Sequence, residues 1–351
     1  MRVLCVNDLP PGGVSGAEVH LQLLLDGLRR TGDEAVAFSR PPRTGVRRLA
    51  DAWDPAARDA LAREVEAFRP DVLHFHNVVR ELSVAVLTAA PGTPRVTTVH
   101  DGRLLGDADG QGLALRTWQR LRGRWDSRVA RSRSGTVLAV SGPLQERLRA
   151  AGFTTARRAW PWAEDPTSVL TPPAASRDLA FVGRLDPDKG VEVLLEAFLA
   201  ADRPGARLLL AGTGSLRPSA HGGRVVTLGR LDRPQVSALL ASVRAVVLPS
   251  LPALRPEGAP LALVEALVHG RPLLVSDDPG CAEIARAGSD LPAGLVVPAG
   301  DVTALADAIA RLLDDDPLIE RLAAGARLAA ADHTPSAGLA RVRAAYAEAL
   351  A

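Results

Sequence analysis

Short runs of β-branched and leucine residues alternate with longer amphipathic stretches along most of the chain. That alternation predicts βα units and parallel sheets. Residues 2–7 (RVLCVN) read as a strand, PPGGVSGAE as the loop after it, 17–31 as a helix and 35–38 as the next strand. Further strands are predicted at 71–75, 95–99 and 136–140. The stretch 157–178 holds Pro161, Pro166, Pro172 and Pro173, shows no periodicity, and reads as a linker. A second series follows, with strands at 179–183, 207–211, 225–228, 245–248 and 272–275 and helices at 191–201, 234–242, 261–269 and 301–313. The tail PSAGLARVRAAYAEAL reads as a last helix. The expectation is an α/β protein of two doubly wound, Rossmann-like parallel-sheet domains, 1–160 and 161–334, with helix 335–351 returning to the first. In such a pair a ligand cleft lies between the carboxyl ends of the strands.

Composition supports two cores: 351 residues at 47% hydrophobic exceed what one core usually organises. The apolar run before Asn7 and Asp8 is too short for a signal peptide, and no stretch has membrane-spanning length. A soluble, cytoplasmic protein is expected. Cys5 and Cys281 are too few and too far apart for a disulfide scaffold, which fits a reducing compartment. Residues 1–160 carry 24 Arg against 17 acids, and residues 161–351 carry 18 Lys and Arg against 23. The basic half raises the chance of an anionic partner. No zinc finger or RNA-binding signature accompanies it, so a nucleic-acid partner is not expected.

Among 42 Lys and Arg there is a single lysine, Lys189, in FVGRLDPDKG. Arg184 ends a strand there, LDPD turns, and Lys189-Gly190 leads into a helix, so both cations fall at the carboxyl edge of a sheet. Arginine offers a planar fork for paired oxygens and lysine a compact charge, and together they balance a diphosphate. The Asp186-Pro-Asp188 stretch between them reads as a turn, with Asp188 capping the helix that follows. Downstream, Glu257 and Glu265 are eight apart in PEGAPLALVEALV. Pro260 suits a first helical position, which leaves Glu257 in the preceding loop and Glu265 inside the helix. A loop carboxylate there can reach a sugar hydroxyl, a helical one can accept a ribose diol, and helix-start N–H groups can hold phosphate oxygens.

Taken in order, GR-x4-KG at 183–190, AGTGS at 211–215, PS at 249–250, E-x7-E at 257–265 and G-x-x-E at 280–283 resemble the donor half of a family 4 glycosyltransferase with the GT-B fold. The Gly-Gly loop at 12–13, VHD at 99–101 and AVS at 139–141 fall where that family has similar segments, so the resemblance covers most of the chain. It implies that Arg184 and Lys189 bind the donor diphosphate and offset charge on the leaving nucleotide. It further implies that Glu265 holds the ribose and that Glu257 and His100 line the sugar pocket near the reacting carbon. Gly12 and Gly13 would let backbone approach the phosphates and the acceptor. The chain has EGAP where relatives often have EGFG, and Pro260 lacks an N–H, leaving those of Ala259 and Leu261 for the phosphates. PWAEDP lacks the Asn-Gly turn common in relatives. The implied reaction retains anomeric configuration and needs neither metal nor cofactor: a UDP- or GDP-sugar is the co-substrate and a hydroxyl the acceptor.

Two other readings stay open on the sequence. His74 and His76 in DVLHFHN share one face of a strand, and His100-Asp101 ends another, so a metal-dependent hydrolase is conceivable. The stretch 113–135 has seven Arg and one Asp, with Leu115, Trp118, Trp125 and Val129 at helical spacing. Its pattern predicts the Trp face in the core and the Arg face in water, the alternative being peripheral contact with an anionic membrane.

Overall fold

The computed structural model describes residues 1–13, 15–41, 53–107, 113–288 and 291–351, with backbone only for 113–116. The chain divides into two compact units: unit 1 is Met1–Pro161 with Ser336–Ala351, and unit 2 is Trp162–Pro335.

Unit 1 holds strands β1 (Arg2–Val6), β2 (Glu34–Phe38), β3 (Val72–Phe75), β4 (Arg95–Val99), β5 (Thr136–Ala139) and β6 (Arg157–Arg158). They form one parallel sheet in the order β2-β1-β3-β4-β5-β6. Val3, Leu4, Cys5 and Val6 are fully buried, as expected of a strand covered on both faces. Helix α1 (Gly16–Arg30) starts where the Glu18 carboxylate takes the Ser15 N–H at 2.8 Å, the return half of a capping box. The other helices in chain order are α2 (Pro55–Phe68), α3 (Leu113–Arg131) and α4 (Gly142–Ala150).

Unit 2 repeats the plan with β7 (Asp178–Val182), β8 (Arg207–Ala211), β9 (Val225–Gly229), β10 (Ala245–Leu248), β11 (Leu273–Ser276) and β12 (Gly294–Val297). Their order, β12-β11-β10-β7-β8-β9, turns back between β7 and β10. That gap is the topological switch point, where open α/β sheets bind ligands beyond the strand carboxyl ends. In unit 1 the same reversal falls between β1 and β3. Helices α5 (Val191–Ala201), α6 (Arg233–Ser242), α7 (Leu261–Val268), α8 (Pro279–Ala285), α9 (Val302–Asp314) and α10 (Asp316–Ala330) flank the second sheet. The last helix, α11 (Pro335–Leu350), lies almost entirely in unit 1: Tyr346 is fully buried there, and Arg343 pairs with Asp33 and donates to Thr31 Oγ1 at 2.7 Å.

The structure departs from the sequence pattern at several elements. The periodicity above assigns no helix to 55–68, yet Asp54 accepts from Ala57 N at 3.0 Å and Pro55 opens α2, a complete start signal. Helices α4, α8 and α10 and strand β12 are likewise additions. The stretch 157–178 is not simply a linker. It begins with β6, which pairs with β5, and buries Trp162. Two buried guanidiniums clip its later part: Arg244 donates to the carbonyls of Ala174 and Ser176, and Arg271 to those of Thr171 and Val243.

Candidate functional site

In unit 2 the loop after β7 and the loop after β10 meet at the switch point. Gly190 sits there at φ +68°, and a Cβ on it would collide with the Pro249 carbonyl, so only glycine allows the two backbones this close. Leu251 N donates to Asp188 O at 2.9 Å and ties the loops together. Lys189 Nζ donates to Glu257 Oε1 at 2.5 Å, and the same oxygen accepts from Ser250 Oγ at 2.7 Å. Both partners are largely buried, with side chains 16% and 14% exposed. Burial would raise the Glu257 carboxyl, but the adjacent Lys189 ammonium, together with the Ser250 hydroxyl and the Arg255 charge, holds the group below its ordinary value.

Arg184 pairs with Asp186 and donates to Asp188 Oδ2 at 2.6 Å. Asp188 is therefore a partner of Arg184 and not the helix cap expected from the sequence: the residue before α5 is Gly190. Asp186 also accepts from Ser215 N at 2.7 Å and Ser215 Oγ at 2.9 Å. Against the upward pull of burial, those bonds and then the charges of Arg184 and Lys189 hold its carboxyl low. Both cations thus act on one carboxylate. Arg184 and Lys189 are paired with Asp186, Asp188 and Glu257, so the two cations are internally compensated, and an incoming anion would exchange with carboxylates already in place.

The loop carrying Glu257 is anchored from below. The fully buried Asp278 accepts from Glu257 N at 3.0 Å, Gly280 N at 3.0 Å and Cys281 N at 3.2 Å. Burial pushes its carboxyl up, against those three bonds. Helix α7 begins at Leu261, with Pro260 as its N-cap and not its first helical residue as the sequence suggested; a proline side chain cannot cap it, and no side-chain cap bond is made. Ala259 and Leu261 flank that proline. Within α7, Glu265 faces Arg233 at 3.5 Å, while burial pushes its carboxyl up to about 7 and Arg233 offsets this only in part. Asp278 and Ser250 drew no role from the sequence, although the Asp-Pro-Gly stretch at 278–280 carried a helix-start signal.

The corresponding edge of unit 1 is built from imidazoles. Gly12 (φ +74°) and Gly13 follow β1, and a Cβ on Gly13 would press into the Glu18 carboxylate. After β3 and β4, His76 Nδ1 lies 3.0 Å from His100 Nε2, and the two rings stack with centroids 5.3 Å apart. His20 of α1 meets the His100 ring edge-on at 5.4 Å. His74 spends both nitrogens elsewhere, Nδ1 on Tyr346 OH at 2.7 Å and Nε2 on Thr98 Oγ1 at 2.8 Å. Burial lowers all four; His74 falls to about 3 and His100 to about 4, so these rings are neutral near pH 7. The trio His74, His76 and His100 therefore does not converge as one ligand set, because His74 is committed to Tyr346 and Thr98. The donor atoms of His20, His76 and His100 do lie within 4.8 Å of one another.

Comparison with known proteins decides the family. Residues 14–161 match the family described as Glycosyltransferase Family 4, and residues 176–315 match Glycosyl transferases group 1. The phosphatidyl-myo-inositol mannosyltransferase of Mycobacterium leprae is 30% identical over 78% of this chain and 72% of its own length. The chain belongs to glycosyltransferase family 4. A glycogen synthase of Mycobacterium tuberculosis is 29% identical to this transferase over 93% of the chain and 89% of its own length. Among solved structures, Anabaena HepE in complex with UDP-glucose superposes with a TM-score of 0.72 at 17% identity, covering 99% of this chain and 100% of that one. The likeness, with two six-stranded parallel sheets, identifies the fold as GT-B. Both family matches describe transferases, so neither supports the hydrolase reading.

Proposed function

We propose that this transferase moves a glycosyl group from a nucleoside-diphosphate sugar held by unit 2 to an acceptor hydroxyl held by unit 1, with retention of configuration. The carrying observation is the switch-point cluster in which Arg184 and Lys189 both act on Asp186 while Lys189 pairs with Glu257. On arrival of the donor, its diphosphate oxygens take over the guanidinium and ammonium from Asp186, Asp188 and Glu257. The two cations then offset the negative charge that grows on the leaving diphosphate as the glycosidic bond lengthens.

Glu257, released from Lys189, accepts from the donor sugar, and Ser250 and Asp278 keep its loop in place. Glu265 accepts from the ribose diol. Backbone N–H groups of Ala259 and Leu261 hold phosphate oxygens at the start of α7. In unit 1, neutral His100 lines the sugar pocket, and Gly12 and Gly13 let the chain approach donor phosphate and acceptor. The acceptor hydroxyl attacks the anomeric carbon from the face the diphosphate leaves. Its proton passes to the departing phosphate oxygen, so the reaction calls for no side-chain base, no metal and no cofactor. HepE, the structural neighbour, was solved with UDP-glucose, which favours a UDP-sugar here, with a GDP-sugar as the other candidate. Cytoplasmic location, where nucleotide sugars are made, belongs to the same proposal.

A thermal-shift screen with UDP, GDP, ADP and dTDP tests the reading. The matching nucleotide, at 100 times its dissociation constant, adds about 2.7 kcal/mol of stability. That gain should vanish in Lys189→Ala; stabilisation by none of the four, or by all equally in wild type and variant, contradicts it.

A further inference from the structure

The basic helix α3 does not turn its tryptophans into the core, as its sequence pattern predicted. Its inward side is Gln119, Arg122, Gly123, Asp126, Ser127 and Ala130. Arg122 reaches Val79 O at 2.7 Å and Asp126 at 3.3 Å, Ser127 Oγ donates to Leu104 O at 2.6 Å, and a Cβ on Gly123 would collide with Gly106. The outward side carries Trp118, Leu121 and Trp125, which are 37%, 60% and 40% exposed. Trp53, 38% exposed, extends the patch by meeting Trp125 edge-on with centroids 5.8 Å apart. Leu115 belongs to the same sequence stripe, but its side chain is outside the described residues. Val129 is half-buried.

Arg120, Arg124, Arg128 and Arg131 are exposed between and beside these apolar groups. The single acid of the helix, Asp126, points inward and is buried against Arg122. Exposed indoles and a leucine ringed by guanidiniums, with no outward carboxylate on the helix, combine the two features of an interfacial helix. Indole rings settle at the headgroup level and a leucine enters the acyl boundary, while arginines meet anionic headgroups. Nucleic acid would satisfy the arginines but gains nothing from a leucine 60% exposed at the centre of the patch.

We propose that the Trp53–Trp118–Leu121–Trp125 patch of unit 1 docks peripherally on an anionic lipid bilayer. The inference goes beyond the transfer reaction and stands independently of it. No helix among the described residues is long and apolar enough to cross a membrane, so the contact is with the bilayer surface.

The test is co-sedimentation of the full chain with vesicles of phosphatidylcholine alone and of phosphatidylcholine with phosphatidylglycerol, at low and high salt. The expected result is binding to the anionic vesicles only, weakened by salt, with a blue shift of tryptophan fluorescence. Arg120→Gln with Arg124→Gln should lower the partition coefficient at least about tenfold, each arginine contributing roughly fivefold. Leu121→Asp should abolish the blue shift; since the side chain is mostly exposed, its melting temperature should match wild type, which separates lost docking from lost folding. Equal binding to both vesicle types, or unchanged binding by Leu121→Asp, overturns the proposal. So does lipid-free self-association that Leu121→Asp removes, which would assign the patch to a second copy. Retention on single-stranded RNA without vesicle binding also overturns it.

Discussion

Both units are six-stranded parallel sheets that reverse beside their first strand, and both place a polar cluster at that switch point, yet one cluster is charged and the other neutral. Unit 2 gathers formal charges there and compensates them with one another, through Arg184 with Asp186 and Asp188 and Lys189 with Glu257. Unit 1 places imidazoles at the equivalent edge and drives them neutral by burial. In a compensated charge cluster the cations can exchange internal carboxylates for a phosphate and stay paired in both the free and the bound state. A neutral imidazole cluster offers hydrogen bonds without attracting the diphosphate. The same parallel-sheet plan thus carries a charged cluster and an uncharged one by the choice of side chains at the strand ends.

The largest expected effect breaks the charged side of that contrast. Lys189→Ala removes a phosphate partner and leaves Glu257 largely buried and unpaired, so kcat/KM should fall by about 2–4 kcal/mol, read from initial rates with the nucleotide sugar. Lys189→Arg should also lose activity, since a planar fork does not fit the point-charge position beside Glu257 Oε1; wild-type rates in that variant would refute the reason given for the lone lysine.

Next in size is Glu265→Gln. In the folded chain Glu265 takes up its proton near pH 7, above its ordinary value of 4.5, so its folded form binds more protons between those limits. Its contribution favours folding below pH 4.5 and is lost as pH rises through about 7. The glutamine variant should therefore gain about 2–3 kcal/mol over wild type at pH 8 and little at pH 5, read by urea unfolding. Donor use should fall at the same time, because the ribose loses an anionic acceptor. Equal gains at both pH values would show that the buried carboxyl is not the cause.

Smaller effects concern the neutral side. His74 and His100 have folded values near 3 and 4, below the unfolded value of 6.5. The unfolded chain takes up their protons first, so their neutral burial supports folding fully above pH 6.5 and progressively less as the pH falls toward 4. Each should cost about 1–2 kcal/mol of stability between pH 7 and pH 5. His74→Gln should flatten that dependence, measured by urea midpoints across the range.

How far the sequence could be read follows the same physics. Periodicity found the apolar parallel strands, since Val3–Val6 or Leu273–Val275 are covered on both faces and show it as unbroken hydrophobic runs. It missed what is ordered by polar contacts. The proline-rich stretch at 171–176 is pinned by Arg244 and Arg271 to backbone carbonyls, which no hydrophobic spacing reveals. At the site, Arg184, Lys189, Glu257 and Glu265 stood out by residue type and spacing. Their internal pairing did not, because Lys189 and Glu257 are 68 residues apart and the Glu257 loop is held by Asp278, 21 residues further on. In α3, helical spacing alone could not say which stripe faces inward. The Gly123–Gly106 approach and the Arg122–Val79 bond turn the tryptophans outward.

The most direct measurement is a crystal structure of the chain soaked with UDP or whichever nucleotide the screen selects. The account predicts diphosphate oxygens within hydrogen-bond reach of Lys189 Nζ and the Arg184 guanidinium, with Glu257 no longer bonded to Lys189. A nucleotide bound in unit 2 with its diphosphate remote from both cations, and the Lys189–Glu257 pair intact, would contradict it.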